Sequence, residues 1–324
     1  MTQPDALQTV LFSSFQRFPA LRPAMAGIES LPGVRLVGPS EPGQAAFVRA
    51  AAEASIIVDL ADPVDRHLLE NAPKLKGVVR WGSGYDWVDV EAARERGVVV
   101  ANVPVMPESV AESALLLILA LARRLPRQQN FARTGTPAND ALRGVMLRQR
   151  TLGIVGLGRI GRALAEMASA LGMRVSGYDP YITGPVRLAN GQEVPLLELD
   201  ELLARSQFVS LHCNLTPETH HLLDERRLNL LPDGAYLVNT ARGGLVDEVA
   251  LAAALQKGKL AGVALDVFEE EPVRPENPLL AFDNVIGTPH FIAQTVESRE
   301  AIAVEVAAAV KAILNGESPR YRVN

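Results

Sequence analysis

The chain has 324 residues, a net charge of −5 at pH 7, and 48% hydrophobic against 21% charged residues. That length and balance fit a soluble globular protein of about two domains, with no electrostatic reason to expect nucleic acid or an anionic membrane as partner. A single cysteine, Cys213, excludes an internal disulfide and a cysteine-bound structural zinc, and the longest apolar run, Ala114–Ala122, is too short to span a bilayer.

The first residues, MTQPDALQTV, have neither the basic nor the apolar region of a secretory signal, so a cytoplasmic protein is expected. Through the first hundred residues, short β-branched runs at 10–14, 34–38, 56–59, 78–81 and 98–102 alternate with helical patterns. That rhythm marks βαβ units on a parallel sheet, here a small doubly wound one. Pro107–Leu125 then reads as a helix apolar on most faces, buried between domains or subunits. Pro107 suits the first helical position, and Ser109 and Glu112 have capping-box spacing if the helix starts slightly later. The next stretch, PRQQNFARTGTPANDALRG, has no clear period and reads as a polar arm or loop.

Six further strands are expected at 152–156, 174–178, 208–212, 236–240, 262–267 and 284–288, the size of a complete dinucleotide-binding domain. An amphipathic helix, Val296–Leu314, closes the chain. The expected fold class is α/β, with two doubly wound parallel-sheet domains. A Rossmann NAD domain (104–294) is inserted into a flavodoxin-like substrate domain (1–103 with 295–324), and the active site is expected in the cleft between them, closing to exclude water.

Within TLGIVGLGRIG, Gly156-x-Gly158-x-x-Gly161 is a weak signal alone. Its context strengthens it. An apolar strand precedes it, the helix IGRALAEMASALG follows with Gly172 placed to end it, and Asp179 closes the next strand 18 residues after Gly161. An acid there accepts hydrogen bonds from the ribose hydroxyls of NAD and repels the 2′-phosphate of NADP; no arginine in DPYI welcomes that phosphate. NAD is the expected cofactor.

In an open α/β sheet the ligand lies at the carboxyl ends of the strands. There this sequence places Cys213 and Asn214, then Ala241 and Arg242, then Asp266 with Glu269, Glu270 and Glu271, and finally His290. An arginine, a carboxylate and a histidine suit hydride transfer to a 2-keto acid. The histidine exchanges the proton, the carboxylate orients it and supports its charge, and the guanidinium grips the substrate carboxylate. Glu269 and Glu270 read as solvated, His212 as packing or capping a loop rather than catalytic, and Cys213 as a neighbour of the cofactor rather than a nucleophile. His67, His220 and His221 sit in polar contexts without metal-site spacing, so no metal is expected.

VGLGRIG with YDP, NTARGGLVDEVAL, LDVFEEEP and TPHFIAQT resemble the D-isomer-specific 2-hydroxyacid dehydrogenase family, and RWGSGYDWVDVEAARERGVVVANVP resembles its first domain. The resemblance implies Arg242, Glu271 and His290 as catalytic residues. It also implies cofactor contacts from Gly156, Gly158, Arg159, Ile160, Gly161, Asp179, Cys213, Thr240, Ala241, Asp266 and Ser83. Backbone amides of the loop Trp81, Gly82, Ser83 and Gly84 would meet the substrate carboxylate together with Arg242. Expected substrates are small D-2-hydroxy or 2-keto acids such as hydroxypyruvate, glyoxylate or phosphoglycerate, and the expected assembly is a homodimer. An NAD-sensing corepressor on the same scaffold is the alternative.

Three departures from the family pattern stand out. Trp81 would reshape the substrate pocket, and Phe291, Ile292 and Gln294 are bulkier than the small residues common after the histidine. Glu271 speaks against formate oxidation, where the family carries glutamine. With the sequence ending at Asn324, the regulatory domain of the longer phosphoglycerate dehydrogenases is not expected.

Overall fold

The computed structural model describes residues 7–60 and 62–324. They fall into two compact units, one running up to Met106 and resuming at Thr295–Asn324, the other spanning Pro107–Gln294.

The first unit holds β1 (Gln8–Phe12), β2 (Val34–Val37), β3 (Ile56–Asp59), β4 (Gly77–Arg80) and β5 (Val99–Ala101) in the order β2-β1-β3-β4-β5, every pair parallel. This is the flavodoxin-like order. All four residues of IIVD in β3 are buried, as expected for a strand covered on both faces. On one face Met25 and Ile28 join Ile302, Val306, Val310 and Ile313 of the final helix, Val296–Leu314. Phe47, Leu68, Leu69 and Ala92 fill the other. A reciprocal cap between Thr295 and Ser298 starts that helix where the sequence places it. Beyond it the chain returns beside β5. Asn102 N donates to Tyr321 O, Val323 N donates to Val100 O, and the Asn324 amide bonds Val98 O and Val100 N. The edge of the sheet is thereby covered.

In the second unit, β6 (Thr151–Val155), β7 (Arg174–Tyr178), β10 (Phe208–Leu211), β11 (Ala235–Asn239), β12 (Leu260–Leu265) and β13 (Val285–Gly287) form one parallel sheet ordered β13-β12-β11-β10-β6-β7. The strand order reverses between β6 and β10. A short antiparallel hairpin of β8 (Val186–Arg187) and β9 (Glu193–Val194) follows β7. Sequence reading did not anticipate it, although Asn190-Gly191 between β-branched residues is a hairpin signal, and Val186, Leu188 and Val194 join the core.

Two further expectations change. The presumed arm contains a helix, Leu125–Thr134, with no buried residue, so burial impresses no apolar period on its sequence. The helix Pro107–Ala122 begins at its proline, and no capping box forms. Instead the Ser109 hydroxyl donates to Ala293 O at 2.6 Å, and Ser113 donates to Ser109 O and Ile292 O. That helix buries Ala111, Ala114, Leu117, Ile118 and Leu121 but leaves Leu116 53% exposed. No helix among the described residues is long and apolar enough to cross a membrane.

The final helix is predicted to be integral to the first unit. Ile313→Ala, which removes a side chain 4% exposed and lying against Gly77, should cost about 2–5 kcal/mol in urea unfolding. A loss below about 0.5 kcal/mol would contradict that placement.

Candidate active site

The point of strand reversal between β6 and β10 forms a cradle. After β6 the chain turns through Gly156 at φ +95°, where a Cβ would lie 2.7 Å from Cys213 N. At Gly161 a Cβ would come within 2.1 Å of Gly156 O, so the helix Arg159–Ala170 can start this close to the turn only with glycine there. Gly158 is the opposite case: its missing Cβ faces open space, the room a pyrophosphate needs at a helix N-terminus. Asp179 stands across the turn. Its Oδ2 accepts from Leu157 N and its Oδ1 from Tyr181 N, both at 3.0 Å, and each oxygen keeps a lone pair for a ribose hydroxyl.

Thr240, after β11, carries a buried hydroxyl with no hydrogen-bond partner among the described residues. An open glycine face, a carboxylate and an orphaned hydroxyl along one edge fit a dinucleotide. His212 and Cys213 line the same edge. Burial pushes the His212 imidazole down to about 4 and the Cys213 thiol up to about 11, so both are neutral at pH 7. The His212 ring makes its bond to Ser210 Oγ at 2.8 Å, in keeping with a packing role.

The charged groups gather at the ends of β11, β12 and β13. His290 Nδ1 lies 2.7 Å from Glu271 Oε2, with the imidazole 48% and the carboxylate 28% exposed. Burial would raise Glu271. The His290 hydrogen bond and charge, the Phe268 N–H and the nearby Arg242 together outweigh it and hold the carboxyl below its ordinary value. Glu271 is therefore ionised beside the imidazole. Arg242 leaves β11 through a turn fixed by Asn239, which accepts from Ala241 N and donates to Arg242 O.

Asp266 is 4% exposed, and its Oδ1 accepts from Thr288 Oγ1, Phe291 N and Ile292 N. Its carbonyl accepts from His290 N at 2.7 Å. Sequence reading singled out neither Asn239 nor Thr288. The signal for Asn239 was present as a polar residue ending the apolar run YLVN. Glu269, read as solvated, instead accepts from Glu248 N and lies 3.1 Å from His221 Nε2. Among the described residues no group of three or more His, Cys, Asp or Glu could hold a metal ion.

The first unit carries a separate array at the carboxyl end of β4. Gly82 O accepts from Val103 N, Ser83 O from Asn102 Nδ2, and Gly84 O from Arg80 Nε. With these three carbonyls tied to the scaffold, the N–H groups of Ser83, Gly84 and Tyr85 find no acceptor among the described residues. Successive free amides of this kind make an anion seat. Trp81 does not line it with its ring. The indole is 6% exposed, edge-on to Phe12 in the core, and its N–H group on the backbone donates to Asp59 O. The Gly82 amide is also occupied, by Arg80 O.

Residues 115–291 match the family model described as D-isomer specific 2-hydroxyacid dehydrogenase, NAD binding domain. The chain belongs to this family. The second unit of this dehydrogenase-family chain is thus its NAD-binding domain. Over 271 residues the chain is 44% identical to a D-3-phosphoglycerate dehydrogenase of Methanocaldococcus jannaschii, covering 83% of this chain and 51% of that one. Over 295 residues it is 40% identical to a glyoxylate reductase of Thermococcus litoralis, covering 88% of each. The structure of a D-lactate dehydrogenase from Aquifex aeolicus complexed with NAD and lactic acid superposes with a TM-score of 0.83 at 33% identity, over 95% of this chain and 96% of that one. The chain spans about half the length of the phosphoglycerate dehydrogenase relative and most of the reductase. None of these named relatives supports the corepressor alternative.

Two outcomes test this site. Gly161→Ala should weaken NADH binding by about tenfold or more in a fluorescence titration, because the new Cβ collides with the turn; unchanged affinity would remove the cradle's geometric basis. His212 takes up its proton only near pH 4 when folded but near 6.5 when unfolded, so its contribution to stability is complete above 6.5 and is lost as pH falls toward 4. Urea midpoints at pH 7 and pH 5 should therefore differ less in His212→Gln than in the parent, and an equal difference would contradict the burial of the ring.

Proposed function

We propose that the chain is an NAD-dependent oxidoreductase that interconverts a small D-2-hydroxy acid and its 2-keto acid. The observation that carries the proposal is the 2.7 Å pair of His290 and an ionised Glu271 on the same strand edge as Arg242. NAD, when bound, supplies or accepts the hydride. In the reductive direction protonated His290 gives the proton on Nε2 to the keto oxygen, and the Glu271 carboxylate on Nδ1 stabilises the imidazolium. In oxidation the neutral ring takes the hydroxyl proton. Arg242 offers a substrate carboxylate a guanidinium fork, and in the first unit the amides of Ser83, Gly84 and Tyr85 offer it point donors.

Glyoxylate, hydroxypyruvate and phosphoglycerate are the substrates to try first, since two of the relatives are named for glyoxylate and phosphoglycerate. Phe291, 60% exposed beside His290, is the bulky side chain that would limit substrate size; Trp81 lies in the core. NADH consumption with this panel, and NAD reduction with the matching hydroxy acids, tests the reading, and no turnover in either direction would reject it. In an active enzyme His290→Ala should lower kcat by about 10²-fold or more while NADH still binds.

A homodimer belongs to the same proposal. Leu116, Leu119, Leu125 and Met146 are exposed on or next to the helix Pro107–Ala122, an apolar group that a second copy would cover. Light scattering should then give about twice the chain mass of 34.8 kDa, and a particle of single mass at micromolar concentration would refute it.

A further inference from the structure

Asp59 is the last residue of β3 and its side chain is fully buried, yet neither carboxylate oxygen makes a well-directed hydrogen bond. Its nearest cation is Arg80, whose Nε lies 3.5 Å from Oδ2 and whose side chain is 13% exposed. The same guanidinium donates to Gly84 O at 2.5 Å and to Asp59 O at 3.1 Å. Trp81 N adds a bond to the same Asp59 carbonyl. Arg80 thus bridges the end of β3 to the far side of the 81–84 turn, and the Asp59 carboxylate is the charge that holds it there. A buried carboxylate without well-directed donors costs stability, so the pair is poorly explained as a device for holding the fold together.

We propose that Asp59 is a positioning residue: through Arg80 it sets the 81–84 turn so that the Ser83, Gly84 and Tyr85 amides converge on the carboxylate of the 2-keto acid. This rests on reading that turn as the substrate-carboxylate seat.

The groups facing Asp59 give the arrangement a pH signature. Burial pushes the acid up to about 6, Arg80 pulls it down, and the Asp62 carboxylate pushes it up. The Asp62 backbone and Ser13 lower it slightly, and Ser13 itself is occupied by Asp62 Oδ2 and Leu60 N. Asp59 is thus ionised at pH 7 and takes a proton as pH falls through about 6, which weakens its hold on Arg80.

The test uses the full chain with NADH and the best 2-keto acid. Asp59→Asn and Arg80→Lys should each raise KM for the keto acid about tenfold, with a much smaller change in kcat and unaltered NADH affinity. In the parent, KM should rise between pH 7 and pH 5, while in Asp59→Asn it stays level. Wild-type KM in both variants, or a parent KM level over that interval, overturns the proposal, as does an equal loss of NADH affinity. Should Asp59→Asn fail to fold, the parent profile and Arg80→Lys still decide. Should no acid be turned over, calorimetric binding of oxalate replaces KM. An oxalate affinity about tenfold lower in Asp59→Asn supports the positioning role even though the catalytic reading fails, whereas equal affinity or no oxalate binding overturns it.

Discussion

The site in the second unit depends on how one carboxylate, Asp266, is satisfied. His290 has a left-handed backbone, φ +53°, which costs a residue with a side chain on the order of 1 kcal/mol. The loop is kept there because Asp266 Oδ1 gathers Thr288 Oγ1, Phe291 N and Ile292 N, and the Asp266 carbonyl takes His290 N. Ser109 and Ser113 hold the next two carbonyls from the other side. Asp266 is itself anchored, because its N–H donates to Asn239 O, and the Asn239 side chain shapes the turn that carries Arg242. The acid, the arginine and the histidine therefore share one hydrogen-bonded frame set by the parallel register of β11, β12 and β13.

Close backbone approach ties Glu271 to that frame. At Gly243, next to Arg242, a Cβ would sit 1.9 Å from the Phe268 carbonyl carbon, so the two loops touch through their main chains. Phe268 N in turn donates to Glu271 Oε1, leaving Oε2 for His290. Outside this lies a second ring. Glu248 and Glu269 accept each other's backbone N–H, Asn277 donates to Glu248, and His221 sits against Glu269. One member of the three-glutamate run thus pairs with His290, and another fastens the loop to the start of the helix Glu248–Gln256.

What could be read in the sequence follows from what signals locally. Strand runs, the glycine turn with Asp179, and the final helix announce themselves through composition and spacing, and IIVD, RVSGY and Val296–Leu314 begin and end where expected. The helix Leu125–Thr134 escaped because it buries nothing. Trp81 misled for the opposite reason. In a glycine-rich loop an indole suggests a pocket, but its ring had a vacancy beside Phe12 that only the assembled sheet creates. Asp59 gave no signal, since an acid ending a strand is ordinary until its burial and its pairing with Arg80 are seen.

The two sheets treat carboxylates at their strand ends differently, and the contrast is physical. Asp179, Asp266 and Glu271 each receive at least one backbone N–H, a donor that the main chain fixes in place. Asp59 has no well-directed donor on its carboxylate and faces a side chain instead, one that also holds Gly84 O. Protonating Asp59 would therefore loosen its charge pairing with Arg80, whose bonds to the Gly84 and Asp59 carbonyls remain. On the proposal above, the 81–84 turn is therefore tied to a titrating side chain, whereas Asp266 holds its loop through main-chain donors.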